Sequence, residues 1–506
     1  MRFSVYQSPG FLLFLGASFA VLLIRTGASA ASATEDELVV HLKTGSVRGR
    51  SQKSIFGLNL EYFLGIPYAA APVGDLRFSP PHPVQPWEVV RDGTSYGARC
   101  PQNEDSFPRN ITVGTMDEDC LFLNVFRATK FKHLKLPVMV WFHGGGLYHG
   151  SGNEYLGLVC GYGAIVVTVN YRLGLLGYLN VPGSDIKGNY GMLDQVAALK
   201  WVQENIASFS GIPSMVTVFG QGAGASSIAY HMLSPLSTGL FHKAILQSGA
   251  ATTPYTFYSS KDPDYGRDIT KRLGCDDNAM LLGCLRQKNI EDFLKASELP
   301  RSVLDLGHKY PVVTVDGGFL TDEPTKLLEQ GFVNKVPVLL GVNKNDGGIV
   351  PLSEIARTLG QEVSSELFSS LVKNARFSAR EESDLMKEAI LYQYTNHSVP
   401  DSTRSIEKQW LDLVTDSWFN APAVHMAKAL VRGGSPVRLY QFSHRTELTL
   451  YPEILGVTHG EEIPYVFALA WANHEGTLKI ASSYNAVERG LSLAVVLLWT
   501  NFVKYG

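Results

Sequence analysis

Short apolar runs recur along the chain at 138–142, 164–169, 215–219, 243–246, 336–340 and 438–442, each bounded by Gly, Pro, Asn or Ser. Longer helical patterns lie between them. The clearest is 191–207, where Leu193, Val196, Ala197, Leu199, Trp201 and Val202 follow helical spacing. Strands that are apolar throughout, rather than alternating with polar residues, must be buried on both faces. Their alternation with helices predicts an α/β fold, with a large, mostly parallel sheet covered by helices on both sides. No repeat or low-complexity linker breaks the pattern, so 31–506 reads as one domain.

The first 30 residues do not fit that pattern. Arg2 is followed by an apolar stretch at 11–24, then by Ala28-Ser29-Ala30, a small-residue cleavage site. Residues 1–30 read as a secretory signal, with Ala31 starting the mature chain. An uncleaved anchor is the alternative, but the apolar stretch falls short of the ~18 residues that a span needs. The later apolar stretch 491–499 is shorter still and reads as a buried helix. A secreted, extracellular protein without a membrane span is expected.

Composition narrows the function. Only 18% of the 506 residues are charged, against ~25% in an average domain, which means a large interior and excludes a disordered chain. With 44 Lys+Arg against 47 Asp+Glu the net charge is -3, so no basic excess exists to neutralise nucleic-acid phosphates. Five cysteines behind a signal peptide suggest local disulfides, Cys100–Cys120 and Cys275–Cys284, with Cys160 as a buried free thiol. Two sequons, at Asn110 and Asn396, are candidate glycosylation sites. No metal or other cofactor is expected.

The chemistry concentrates where an apolar strand ends. The run 215–219 enters Gly220-Gln221-Gly222-Ala223-Gly224 and then a helical stretch, the context of a G-x-S-x-G nucleophile elbow. The tip is Gly222, which has no Oγ to attack a carbonyl. Ser226 and Ser227 lie a helical turn beyond and point away from the tip. An earlier strand ends in His143-Gly144-Gly145-Gly146, an HGGG loop whose amides, with that of Ala223, would form an oxyanion hole. Asp346 and His459 follow in the chain order nucleophile, acid, histidine of α/β-hydrolases. Singly, each motif could be a turn or a structural histidine; their shared order and strand-end contexts favour one site.

From Val39 to Gly506 the chain resembles the type-B carboxylesterase/cholinesterase family. The resemblance is carried by Phe63-Leu64-Gly65-Ile66-Pro67-Tyr68-Ala69, Glu118-Asp119-Cys120-Leu121-Phe122-Leu123-Asn124-Val125, Asn170-Tyr171-Arg172-Leu173-Gly174 and Gly188-Asn189-Tyr190-Gly191-Met192-Leu193-Asp194-Gln195. It implies an α/β-hydrolase fold, ester hydrolysis as the usual activity and the same two disulfides. It assigns the triad positions to Gly222, Asp346 and His459. Gln221 before the tip resembles insect esterases, including juvenile hormone esterases.

Four departures stand out. Glycine holds the nucleophile position. The usual F-G-G-D-P reads Phe209-Ser210-Gly211-Ile212-Pro213, which removes the acid that typically pairs with the Arg172 position, whereas Arg77 and Glu118 remain. The Cys100–Cys120 loop has no Trp to offer a choline cation. Family members usually continue beyond Gly506, so the C-terminus is expected to be short. Two readings follow: a catalytically impaired pseudo-esterase that binds a small hydrophobic ester, a ligand or a protein partner, and an active serine carboxylic-ester hydrolase if glycine at 222 is a variant or artefact.

Overall fold

The computed structural model describes residues 38–53, 59–103, 114–155, 157–257, 264–297, 312–331, 334–374, 383–447, 449, 451–471 and 484–506. The signal region 1–30 and Asn110 lie outside them; Asn396 is exposed. The strands in chain order are β1 (Val39–Leu42), β2 (Gly45–Arg48), β3 (Arg50–Lys53), β4 (Asn59–Pro67), β5 (Arg91–Asp92), β6 (Phe122–Ala128), β7 (Leu136–Phe142), β8 (Ile165–Val169), β9 (Gly211–Gln221), β10 (Lys243–Gln247), β11 (Val338–Asn343) and β12 (Val437–Phe442). Nine of them form one sheet in the order β12-β11-β10-β9-β7-β8-β6-β4-β3. Pairing is parallel from β12 to β8 and antiparallel from β8 through β6 and β4 to β3. Strands β1, β2 and β5 make a separate small sheet.

Both faces of the central strands β6 to β11 are apolar because successive side chains alternate between two cores. The edge strands β12 and β3 are largely exposed, so the expectation that 438–442 is buried on both faces is corrected. In β7, Val138, Val140 and Phe142 join one cluster with Met192, Val196, Leu199 and Val202 of helix α1 (Tyr190–Asn205). Met139 and Trp141 point the other way, into a cluster with Phe219, Val495, Val496, Trp499 and Val503. The last four belong to the C-terminal helix Ala486–Tyr505, which opens with a capping box between Asn485 and Glu488. At 20 residues that helix is long and apolar enough to cross a membrane by length and composition, so the reading of 491–499 as too short is corrected. It packs one face on the sheet through Val495, Val496, Trp499 and Val503, while Val487, Leu493, Leu497 and Leu498 stay exposed, so it is a half-buried rather than a buried helix.

The strand register sets the position of the site. Gln221 of β9 is level with Gln247 of β10, and Gln247 with Gly341 of β11; Phe142 of β7 is level with Gly220. The carboxyl ends of β7, β9, β10 and β11 therefore open along one edge, where ligands bind in open α/β sheets. The cysteines pair as Cys100–Cys120 and Cys275–Cys284, and Cys160 is free and buried.

Candidate active site

Strand β9 ends in Gln221, and helix α2 (Ala223–Leu233) begins two residues later. Gly222 makes the turn between them at φ 58°, ψ -123°, a backbone region that costs side-chain-bearing residues strain. Its N–H donates to Gln247 O at 2.8 Å, and its carbonyl accepts from Ser226 N–H at 3.0 Å. The turn closes tightly because its flanks are glycine: a Cβ on Gly224 would lie 2.1 Å from Phe142 O, and one on Gly220 2.7 Å from the same oxygen. Ser226 and Ser227 are fully buried beneath the helix start.

His459 faces this tip. A Cβ on Gly222 would lie 2.7 Å from its Nε2. On the other side of the ring, Nδ1 meets Asp346 Oδ1 at 2.9 Å. A carboxylate only accepts, so Nδ1 carries the ring proton and Nε2 is the basic atom. Asp346 is fully buried. Its Oδ2 accepts from Ser248 Oγ–H at 2.9 Å and from Asn343 N–H at 2.7 Å. Ser248 reaches it from just past β10, with a left-handed φ of 52°.

A π-helical turn, Thr415–Asn420, supports the pair from outside the sheet. Thr415 Oγ1 accepts from Gly347 N–H at 2.9 Å, and the Phe419 ring lies 4.8 Å from that of His459. Such turns recur at functional positions. Below them sits a second buried carboxyl. Glu462 accepts from Gln247 Nε2 at 3.0 Å and Asn343 Nδ2 at 2.7 Å. Burial, and then the neighbouring charge of Asp346, raise its pKa. Gln247 Oε1 in turn accepts from Trp499 Nε1 at 3.1 Å.

The glycine loop after β7 completes the edge. Gly145 (φ 101°) and Gly146 (φ 64°) need their missing side chains: a Cβ would lie 2.1 Å from His149 O and 2.3 Å from Tyr148 Cε1, respectively. Among the described hydrogen bonds, none engages the N–H of Gly145, Gly146 or Ala223. His143 anchors the loop. Its ring stacks on Tyr171 at 4.3 Å, the Tyr171 hydroxyl donates to His143 O at 2.6 Å, and burial lowers the imidazole pKa to about 4. On the far side, Gln102 clamps Gly150, donating to its carbonyl at 3.0 Å and accepting from its N–H at 2.8 Å. The same Gln102 amide donates to Cys100 O at 3.0 Å, which ties the loop to the first disulfide.

The structure thus brings positions 222, 346 and 459 together on the edge that also carries the glycine loop. It offers a basic nitrogen and unpartnered amide donors, with no nucleophilic side chain at the tip. Residues 36–506 match the carboxylesterase family. The chain belongs to that family. It is similar to a pyrethroid hydrolase, Ces2e, of Rattus norvegicus, with 36% identity over 92% of this chain and 81% of the relative. It is similar to an acetylcholinesterase of Bungarus fasciatus, with 36% identity over 93% and 78%. A medium-chain fatty acyl-CoA hydrolase precursor of Anas platyrhynchos is 34% identical over 96% and 88%.

Against the family pattern, one expectation needs correction. Arg172 is not left without an acid. Its Nε and Nη2 fork onto Asp194 Oδ2 and Oδ1, both at 2.7 Å, and its own N–H donates to Oδ2 at 3.1 Å. Asp194 sits inside a stretch already marked by the resemblance, so the signal was present in the sequence. The second buried fork, Arg77 onto Glu118 at 2.8 and 2.5 Å, is also formed in this carboxylesterase-family chain. Sequence reasoning missed Ser248, Asn343, Thr415, Phe419 and Glu462, none of which lies in a recognisable catalytic motif.

Proposed function

We propose that this chain is a secreted carboxylesterase-family protein that binds a small hydrophobic ester or related ligand and lacks the family's covalent route to hydrolysis. One observation carries the reading: the residue that faces His459 at the elbow is glycine. Asp346 holds and orients the imidazole, and Gly145, Gly146 and Ala223 supply amides for a carbonyl oxygen. Without a serine Oγ no acyl-enzyme forms. Removing the serine of such a triad costs about 10⁶ in kcat, while binding and the oxyanion hole retain ~10³–10⁴ over water. The two disulfides suit an oxidising, extracellular setting. A protein partner is the other occupant that such a site could serve.

The paired His459 and Asp346 support a second reading, an active serine ester hydrolase in forms of the protein that carry serine at 222. Resequencing codon 222 separates the two at the level of the gene. At the level of the protein, the purified chain should bind p-nitrophenyl esters without a burst of p-nitrophenol and without covalent labelling by a fluorophosphonate. Labelling at an enzymatic rate would overturn the proposal.

A further inference from the structure

Taking Gly222 as the tip of an elbow without its nucleophile, as above, we propose that His459 activates water directly, making the chain a slow one-step ester hydrolase. Three features of the site point there. The basic Nε2 is aimed at the tip, and among the described hydrogen bonds it has no protein partner. The imidazole keeps 9% exposure while Asp346 keeps none, so solvent reaches the ring and not the carboxylate that orients it. The orientation itself is over-determined. Asp346 is fixed by Ser248 and by the Asn343 amide, and Phe419 packs on the ring.

Glycine matters here for its size as well as for the hydroxyl it lacks. Any Cβ at 222 stands 2.7 Å from Nε2, where it crowds the space that a water molecule needs to hydrogen-bond to that nitrogen. With glycine, water has only the Cα to clear. The same residue that removes the covalent route therefore opens the direct one.

The step balances without a co-reactant other than water. A lone pair of the water oxygen forms a bond to the acyl carbon while Nε2 takes one water proton. The carbonyl π electrons move to oxygen, where the N–H groups of Gly145, Gly146 and Ala223 receive the charge. On collapse the bond from carbon to the alkoxy oxygen breaks, and Nε2–H gives its proton to the departing oxygen. Carboxylic acid and alcohol leave, and the imidazole is neutral again. Positioned acid–base catalysis of this kind contributes about 10²–10⁴-fold.

The test uses the purified full chain with p-nitrophenyl butyrate. Expected is slow, saturable turnover, linear from the first turnover, that falls at least tenfold in His459→Ala and in Gly222→Ala. The second variant is the sharper one, since neither it nor the native chain has a nucleophile and it differs only by a methyl beside Nε2. Circular dichroism checks that it folds; should it not, His459→Ala decides alone. Turnover unchanged in these variants, or none above buffer in the native chain, overturns the water route and leaves the binding reading intact. A covalent acyl adduct found by intact-mass measurement overturns the binding reading itself.

Discussion

Nε2 of His459 lies 2.7 Å from the point that a Cβ on Gly222 would occupy. That separation is shorter than a carbon–nitrogen contact allows, so a side chain at 222 must push the ring back by several tenths of an ångström. Asp346 and Phe419 both resist the shift. Gly222→Ser should still raise kcat/KM on p-nitrophenyl esters by on the order of 10³-fold or more, because nucleophile and base act as a unit. His459→Ala in the same background should abolish the gain, and Asp346→Ala should weaken it. The left-handed φ adds a stability cost on the order of 1–3 kcal/mol, read from urea unfolding. A folded but inert serine variant would show that another part of the machinery has decayed.

The Arg172–Asp194 fork is fully buried on the acid side, and the guanidinium is nearly so. Removing one partner strands the other charge. Asp194→Ala should therefore cost about 3–5 kcal/mol in urea unfolding, whereas replacing both residues together by apolar ones of similar volume should cost less. Equal losses in the single and double variants would contradict this account.

Acid should destabilise the fold through two histidines. Burial lowers the pKa of His143 to about 4 and of His231 to about 3. The unfolded chain binds these protons near pH 6.5, and the folded chain does not. Stability contributed by the neutral rings is complete above pH 6.5 and is lost as pH falls toward 4 and 3, by up to about 1.4 kcal/mol per pH unit for each ring. Glu462 acts in the opposite sense. Burial, and then the charge of Asp346, raise its pKa, so its contribution is complete below about pH 4.5 and is lost as pH climbs through the folded value. Melting temperatures between pH 4.5 and 7.5 should fall on the acid side, and His231→Gln should flatten that slope.

The Cys160 thiol should resist modification. Burial pushes its pKa well above the usual range, and it has no exposure. Ellman's reagent should find no thiol in the native protein and one after unfolding without reductant. A native titration of one thiol would mean that the cluster beneath the C-terminal helix opens readily.

Much of this arrangement was legible locally. The runs that became β7 to β11 were visible because each is apolar on both faces and ends in turn residues, whereas β12 at the sheet edge carries Arg438 and Gln441 and is largely exposed. Strands β4 and β6 were not read as strands, because each carries a buried polar residue in mid-run. Asn124 is one, and its reason is distant: its side chain accepts from Gly65 N–H at 3.0 Å and donates to Thr168 Oγ1 at 3.0 Å. Strand β9 extends beyond 215–219 because Gly211 pairs with Leu136 across an irregularity that periodicity does not reveal. In the site, positions 222, 346 and 459 announced themselves by strand-end motifs. Ser248, Thr415 and Glu462 bear on those positions only through tertiary contacts, and Phe419 depends on a π-helical turn that no local spacing marks.

The hydrogen bond from Trp499 to Gln247 spans 252 positions of sequence and joins the last helix to the strand beside the elbow. On a ribosome adding about 5–20 residues per second, Gln247 would wait on the order of ten seconds or more for its partner. Until then Met139, Trp141 and Phe219 lack the cover of Val495, Val496, Trp499 and Val503, and have only earlier neighbours such as Phe467 against them. The central strands are thus made early and sealed late. That schedule leaves part of one apolar sheet face open while the intervening residues are made.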